Sequence, residues 1–173
     1  TLDWVIGTIR GNTNAGPQGG SLIIAPGALV DVRATSNRTL IDATLDTRGT
    51  VAIDTASNRL FLSRSSVDVT GGGVLDIRNS GTVSPSTGGG SINVLGGGTL
   101  QKTMDTGISI FAVPVNATSG TLIADSGTLR LGAGGTLAGN VLSGGNGVVG
   151  IGSAVNLANG ANLLGDLTLS SGS

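Results

Sequence analysis

Three aspartates, Asp31, Asp54 and Asp76, recur at steps of 23 and 22 residues, with Arg33 and Arg78 two positions beyond the first and the third. Carboxylates stacked at such intervals would form an acidic column. A polysaccharide-cleaving site needs such a column, either two acids for hydrolysis or several acids holding Ca²⁺ beside a basic residue. The same residues admit a plainer reading. Each aspartate alternates with Val, Leu or Ile, and the pairs Asp31/Arg33, Asp46/Arg48 and Asp76/Arg78 place opposite charges on one face of a strand, as a solvated surface does. The alternation favours the plainer reading, in which the chain is not an enzyme and has no catalytic, cofactor or metal site.

Other chemistries are constrained by composition. There is no cysteine and no histidine, which removes thiolate nucleophiles, disulfides, the commonest metal ligands and any Ser-His-Asp site. The net charge is −1 and the basic residues are interleaved with aspartates, so the electrostatic footprint of a nucleic-acid partner is missing. Gly144-Gly145-Asn146-Gly147 resembles the start of a Ca²⁺-binding nonapeptide, but Val149 stands where that repeat needs Asp. No Thr-x-Thr rank of an ice-binding face occurs. Asn37-Arg38-Thr39 and Asn116-Ala117-Thr118 match the glycosylation pattern, which chance supplies readily in a chain this rich in Asn and Thr. Asn37, Asn58 and Asn79 recur at steps of 21, two of them in Ser-Asn-Arg, and are expected to form a ladder of side-chain amides at one corner of a repeat.

The elements that would position these residues are short strands. Apolar residues alternate in Leu29-Val30-Asp31-Val32, Val67-Asp68-Val69, Leu75-Asp76-Ile77, Ile92-Asn93-Val94 and Leu129-Arg130-Leu131. Gly, Asn or Ser closes each run. Glutamate is absent, lysine occurs once, and 32 residues are glycine, a composition that disfavours helix. Aligning the first strand of each unit on Leu22, Leu45, Val67, Ile92, Leu122 and Val148 gives a period in the twenties. Three short strands per repeat at that period predict an all-β fold, a right-handed parallel β-helix (solenoid) of about six coils. Residues 1–20 are expected to be an N-terminal cap or first partial coil, and residues 21–173 the β-helix repeats. The recurring phrase Gly-Thr-Leu, at Gly98, Gly120, Gly127 and Gly135, is read as a corner glycine suited to positive φ, an outward Thr and an inward Leu.

The ends carry further expectations. Trp4, Val5, Ile6 and Ile9 are read as a cover over the first coil, in preference to a ligand-stacking site for Trp4. Leu163, Leu167 and Leu169 keep strand rhythm towards the C-terminus and predict an exposed edge. With Thr1 opening the chain, the sequence is read as a piece of a longer parent whose solenoid continues, the alternative being head-to-tail self-association of copies. No run reaches the roughly 20 apolar residues of a membrane-spanning helix.

With its Gly-Thr-Leu corners, the Ser-Gly-Thr-Leu-x-Leu strand at 126–131 and the Gly-Gly-Asn-Gly turn, the chain resembles, over about residues 21–173, the passenger regions of bacterial autotransporters and filamentous-haemagglutinin-like adhesins. The resemblance implies an extracellular or bacterial cell-surface location and a non-catalytic structural or adhesive segment, with a host or surface glycan as a possible partner. Two alternatives stand beside it: a polysaccharide-degrading β-helix enzyme using Asp31, Asp54 and Asp76, and a glycan-binding phage tail-fibre solenoid.

Overall fold

A computed structural model describes residues 1–4, 7–11, 19–33, 36–54 and 59–169. Among them there is no helix, and so none long and apolar enough to cross a membrane. The chain winds as a parallel β-solenoid of about six turns, each turn laying one short strand on each of three faces.

The first face stacks β1 (Leu2–Asp3), β4 (Leu29–Arg33), β7 (Thr50–Asp54), β10 (Val74–Ile77), β13 (Thr99–Lys102), the opening halves of β16 (Thr121–Leu131) and β18 (Asn140–Ile151), and β20 (Asn162–Leu164). The second stacks β2 (Gly7–Arg10), β5 (Arg38–Ile41), β8 (Arg59–Ser63), β11 (Thr82–Pro85), β14 (Ile108–Phe111), the closing halves of β16 and β18, and β21 (Leu167–Leu169). The third stacks β3 (Ser21–Ile24), β6 (Thr44–Thr47), β9 (Ser65–Val69), β12 (Gly90–Val94), β15 (Val115–Ala117), β17 (Gly135–Leu137) and β19 (Val155–Leu157). Every pairing is parallel, so each residue lies about 4.8 Å above its equivalent. Residues 2–3 and 7–10 belong to the first coil itself, since they pair with β4 and β5.

Side-chain alternation then builds the core. On the first face Val30, Val51, Leu75, Leu100, Leu122 and Val141 stack inwards, and on the third Leu45, Val67, Ile92 and Val115 do so. Each such side chain contributes about 1.5–3 kcal/mol on leaving water. The sequence alignment is correct at Leu22, Leu45, Val67 and Ile92, and wrong beyond: Ile92 is followed by Val115, Gly135 and Val155, not by Leu122 and Val148. The last coils are shorter, with Asn116 and Thr136 only 20 residues apart. In them β16 and β18 run through the first corner as single long strands, with a register shift between Ala124 and Ser126.

The Gly-Thr-Leu phrase also needs correcting. Gly127 and Gly135 do have positive φ, at 60° and 135°. Gly98 does not; a Cβ there would meet Val69 O of the coil beneath at 2.1 Å. Glycine is needed at Gly98 because the neighbouring backbone leaves no room, whatever the local φ.

Candidate functional site

The outer column of the first face runs Asp3, Asp31, Ala52, Asp76, Gln101 and Ile123. Asp54 is not in it. Because Leu29 pairs with Thr50, the two strands are aligned from their starts, and Asp54 falls opposite Arg33. Arg78, whose N–H donates to Ile53 O at 2.9 Å, follows Asp54 on the next coil. Stacked neighbours at this position thus alternate Arg, Asp, Arg, an arrangement that Coulomb's law favours over the acidic column expected from spacing.

Of the three expected aspartates, Asp31 and Asp76 do share a column, and each is ion-paired to an arginine. Asp31 Oδ2 accepts from Arg33 Nε at 2.7 Å, and Asp76 Oδ2 accepts from Arg78 Nε at 2.9 Å. Thr103 Oγ1 donates to Asp76 Oδ1 at 2.8 Å. Asp31 and Asp76 are 3% and 5% exposed, with the fully buried Ala52 between them. Both oxygens of Asp76 are bonded, whereas Asp31 Oδ1 is buried without a hydrogen-bond partner. General acid–base work needs oxygens that meet the substrate. Hydrogen bonding to Asp31, reinforced by its charge, raises the Arg33 pKa above its ordinary value.

A ladder of side-chain amides is found on the third face. Asn37 Oδ1 accepts from the Arg59 N–H at 3.1 Å, and Asn79 Nδ2 reaches Asp54 Oδ1 at 3.5 Å; Asn58 lies outside the described residues. On the third face, by contrast, Asp46, Asp68, Asn93, Asn116, Thr136 and Asn156 occupy one outward register position. Asn93 Nδ2 donates to Asp68 Oδ1 at 2.7 Å, Asn116 Nδ2 to Asn93 Oδ1 at 3.0 Å, and the Thr136 N–H to Asn116 Oδ1 at 3.2 Å. The signal was present in the sequence: an Asp or Asn between two inward residues, as in Val67-Asp68-Val69 and Ile92-Asn93-Val94. The ladder sits on a strand, where stacking in register repeats the bond over three successive steps, from Asp68 to Thr136.

Corners use charge as well. Asp42 and Arg64 take positive φ of 50° and 47°, and their side chains meet in a bidentate pair, Nε to Oδ1 at 2.6 Å and a terminal nitrogen to Oδ2 at 2.8 Å. The Arg64 hydrogen bonds hold the Asp42 carboxyl below its usual range against the opposing effect of burial. Hydrogen bonds from Arg48 and Thr70 do the same for Asp46, and those from Ser80 and the Gly107 N–H do so for Asp105. Each folded pKa is depressed, so this stabilisation is whole above the unfolded carboxylate value near pH 4 and is lost as pH falls through the folded value. The thermal midpoint should therefore stay level from neutrality to about pH 5 and fall below about pH 4. Asp42→Asn, which tolerates the same backbone conformation, should flatten part of that fall in melts recorded across the acid range.

At the N-terminal end Trp4, between β1 and β2 of the first coil, is 8% exposed and belongs to the core. Beneath it Arg38, 1% exposed, donates from Nε to Trp4 O at 3.2 Å and from a terminal nitrogen to Ser36 O at 2.7 Å. Burial lowers its pKa. Val5 and Ile6 lie outside the described residues, and Ile9 packs on the core edge. At the other end Leu157, Leu163 and Leu169, which close the inward stacks, are 52%, 39% and 74% exposed. Among the described residues no three acidic side chains converge to hold a metal ion. No protein family, curated protein or solved structure matches the chain.

Proposed function

We propose that the chain is a rigid, non-catalytic stalk segment of an extracellular bacterial surface or fibre protein, acting through its length and its lateral surface. The observation that carries this reading is the single unbroken core, in which Trp4 at one end and Val149 at the other belong to one cluster of stacked like residues. A molecule so built gains about 4.8 Å per coil, and its coils interact only with their neighbours. The carboxylates most suggestive of catalysis, Asp31 and Asp76, are tied to Arg33 and Arg78, which supports a structural use.

Incubation with polyuronates and neutral glycans should release no product. Release that Asp76→Asn abolishes would overturn the stalk reading in favour of a β-helix glycan-degrading enzyme, and glycan binding by a trimer in solution would favour the tail-fibre alternative.

The open face at Leu157, Leu163 and Leu169 belongs to the same proposal. Its edge strands offer backbone groups and apolar side chains to a further parallel coil, from the same polypeptide or from a second copy. Light scattering should show concentration-dependent association of the chain, and a Leu163→Lys, Leu169→Lys variant should remain monomeric. A monomer at high concentration without those substitutions would remove head-to-tail stacking.

A further inference from the structure

The only lysine of the chain points into the core. Lys102 is fully buried and occupies the inward position that Ile77 fills one coil below, Ile53 two coils below and Ala124 one coil above. Its Nζ donates to Met104 O at 2.9 Å and to Asn79 O at 3.4 Å, and among the described residues no carboxylate lies within ion-pair distance. A buried ammonium served only by neutral carbonyls is costly. Asn79 carries a second unmet demand: it is 6% exposed, and its Oδ1 is buried with no donor. Its Nδ2 has one long contact, to Asp54 Oδ1 at 3.5 Å. Ser109 Oγ donates to the Asn79 carbonyl and holds that backbone in place. An amine and a carboxamide, each poorly satisfied, therefore share one interior corner between successive coils.

We propose that Lys102 and Asn79 condense into an isopeptide cross-link. The ammonium first gives up a proton, which burial favours, while the charges of Asp105 and Asp76 oppose it. The neutral Nζ lone pair attacks Cγ of Asn79, forming the Nζ–Cγ bond and moving the carbonyl electrons onto Oδ1. Collapse breaks the Cγ–Nδ2 bond. A proton passes from Nζ to Nδ2 within the tetrahedral adduct, and ammonia leaves. Amine plus carboxamide gives amide plus ammonia, with no change of oxidation state. The product is neutral, so the buried charge disappears, and a rotation of the Asn79 side chain, which gives up only the long Nδ2 contact to Asp54, brings Cγ towards the amine. Holding the pair at one corner supplies the proximity such a slow reaction needs.

The test is the mass of the purified protein and of its tryptic peptides. The expected result is an intact mass lower by one ammonia. Trypsin should then fail to cut after Lys102 and should release residues 79–130 as one looped peptide, with tandem spectra placing the branch between Asn79 and Lys102. Lys102→Met and Asn79→Ala should each restore the full mass. Full intact mass with normal cleavage after Lys102 would overturn the proposal even if neither variant folds, and so would an ammonia deficit that survives in Lys102→Met.

Discussion

Gly98→Val is expected to destabilise the rod by more than about 3 kcal/mol, the upper range for overpacking a rigid site, and to lower the thermal midpoint by roughly 6–12 °C. The Cβ would lie 2.1 Å from Val69 O and 2.6 Å from its carbonyl carbon. Those atoms are backbone, so relief requires lifting one coil off another. The bonds that hold the coils on either side, Thr99 N–H to Gly73 O and Thr121 N–H to Gly98 O, both 2.9 Å, would stretch together. Gly97→Asn provides the contrast. Gly97 has φ of 79° and nothing within 4 Å of a Cβ, and Asn visits that conformation at a cost of about 1 kcal/mol. Circular dichroism melts of the two variants separate close approach from backbone conformation. Equal midpoints for Gly98→Val and the unaltered chain would mean that the coils are not packed at this spacing.

Phe111→Ala is the second large effect. Phe111 is the largest fully buried aromatic side chain, stacked between Val83 below and Leu131 above. Removing the ring leaves a cavity in a core closely stacked coil on coil, at an expected cost of about 3–5 kcal/mol. Because each coil rests only on its neighbours, the loss should be local before it is global. Hydrogen exchange should show protection falling first in β11, β14 and the closing half of β16, while β4 to β7 stays protected. Uniform loss along the chain would show that the coils unfold as one cooperative unit.

The solenoid was legible in the sequence because its cause is local. Alternation in Val67-Asp68-Val69 or Leu75-Asp76-Ile77 specifies strands with one inward face, and repetition of that pattern at a nearly fixed step leaves parallel stacking as the way to bury every inward residue. Even the buried lysine had a signal, since Leu100-Gln101-Lys102 alternates and places Lys102 on the side of Leu100. What only the tertiary structure decided is which residue rests on which. Asp54 was matched to Asp31 and Asp76 by spacing, but the strands align from Leu29 and Thr50, and a displacement of two residues along a strand keeps the face while exchanging every neighbour. Equal spacing drew attention to Asn37 and Asn79, whereas Asp68, Asn93 and Asn116, at unequal steps of 25 and 23, stack side chain on side chain. Corners absorb insertions and deletions at little cost, so separation along the chain does not fix height along the rod. The backbone bonds between coils fix that height, and with it which charges and amides meet.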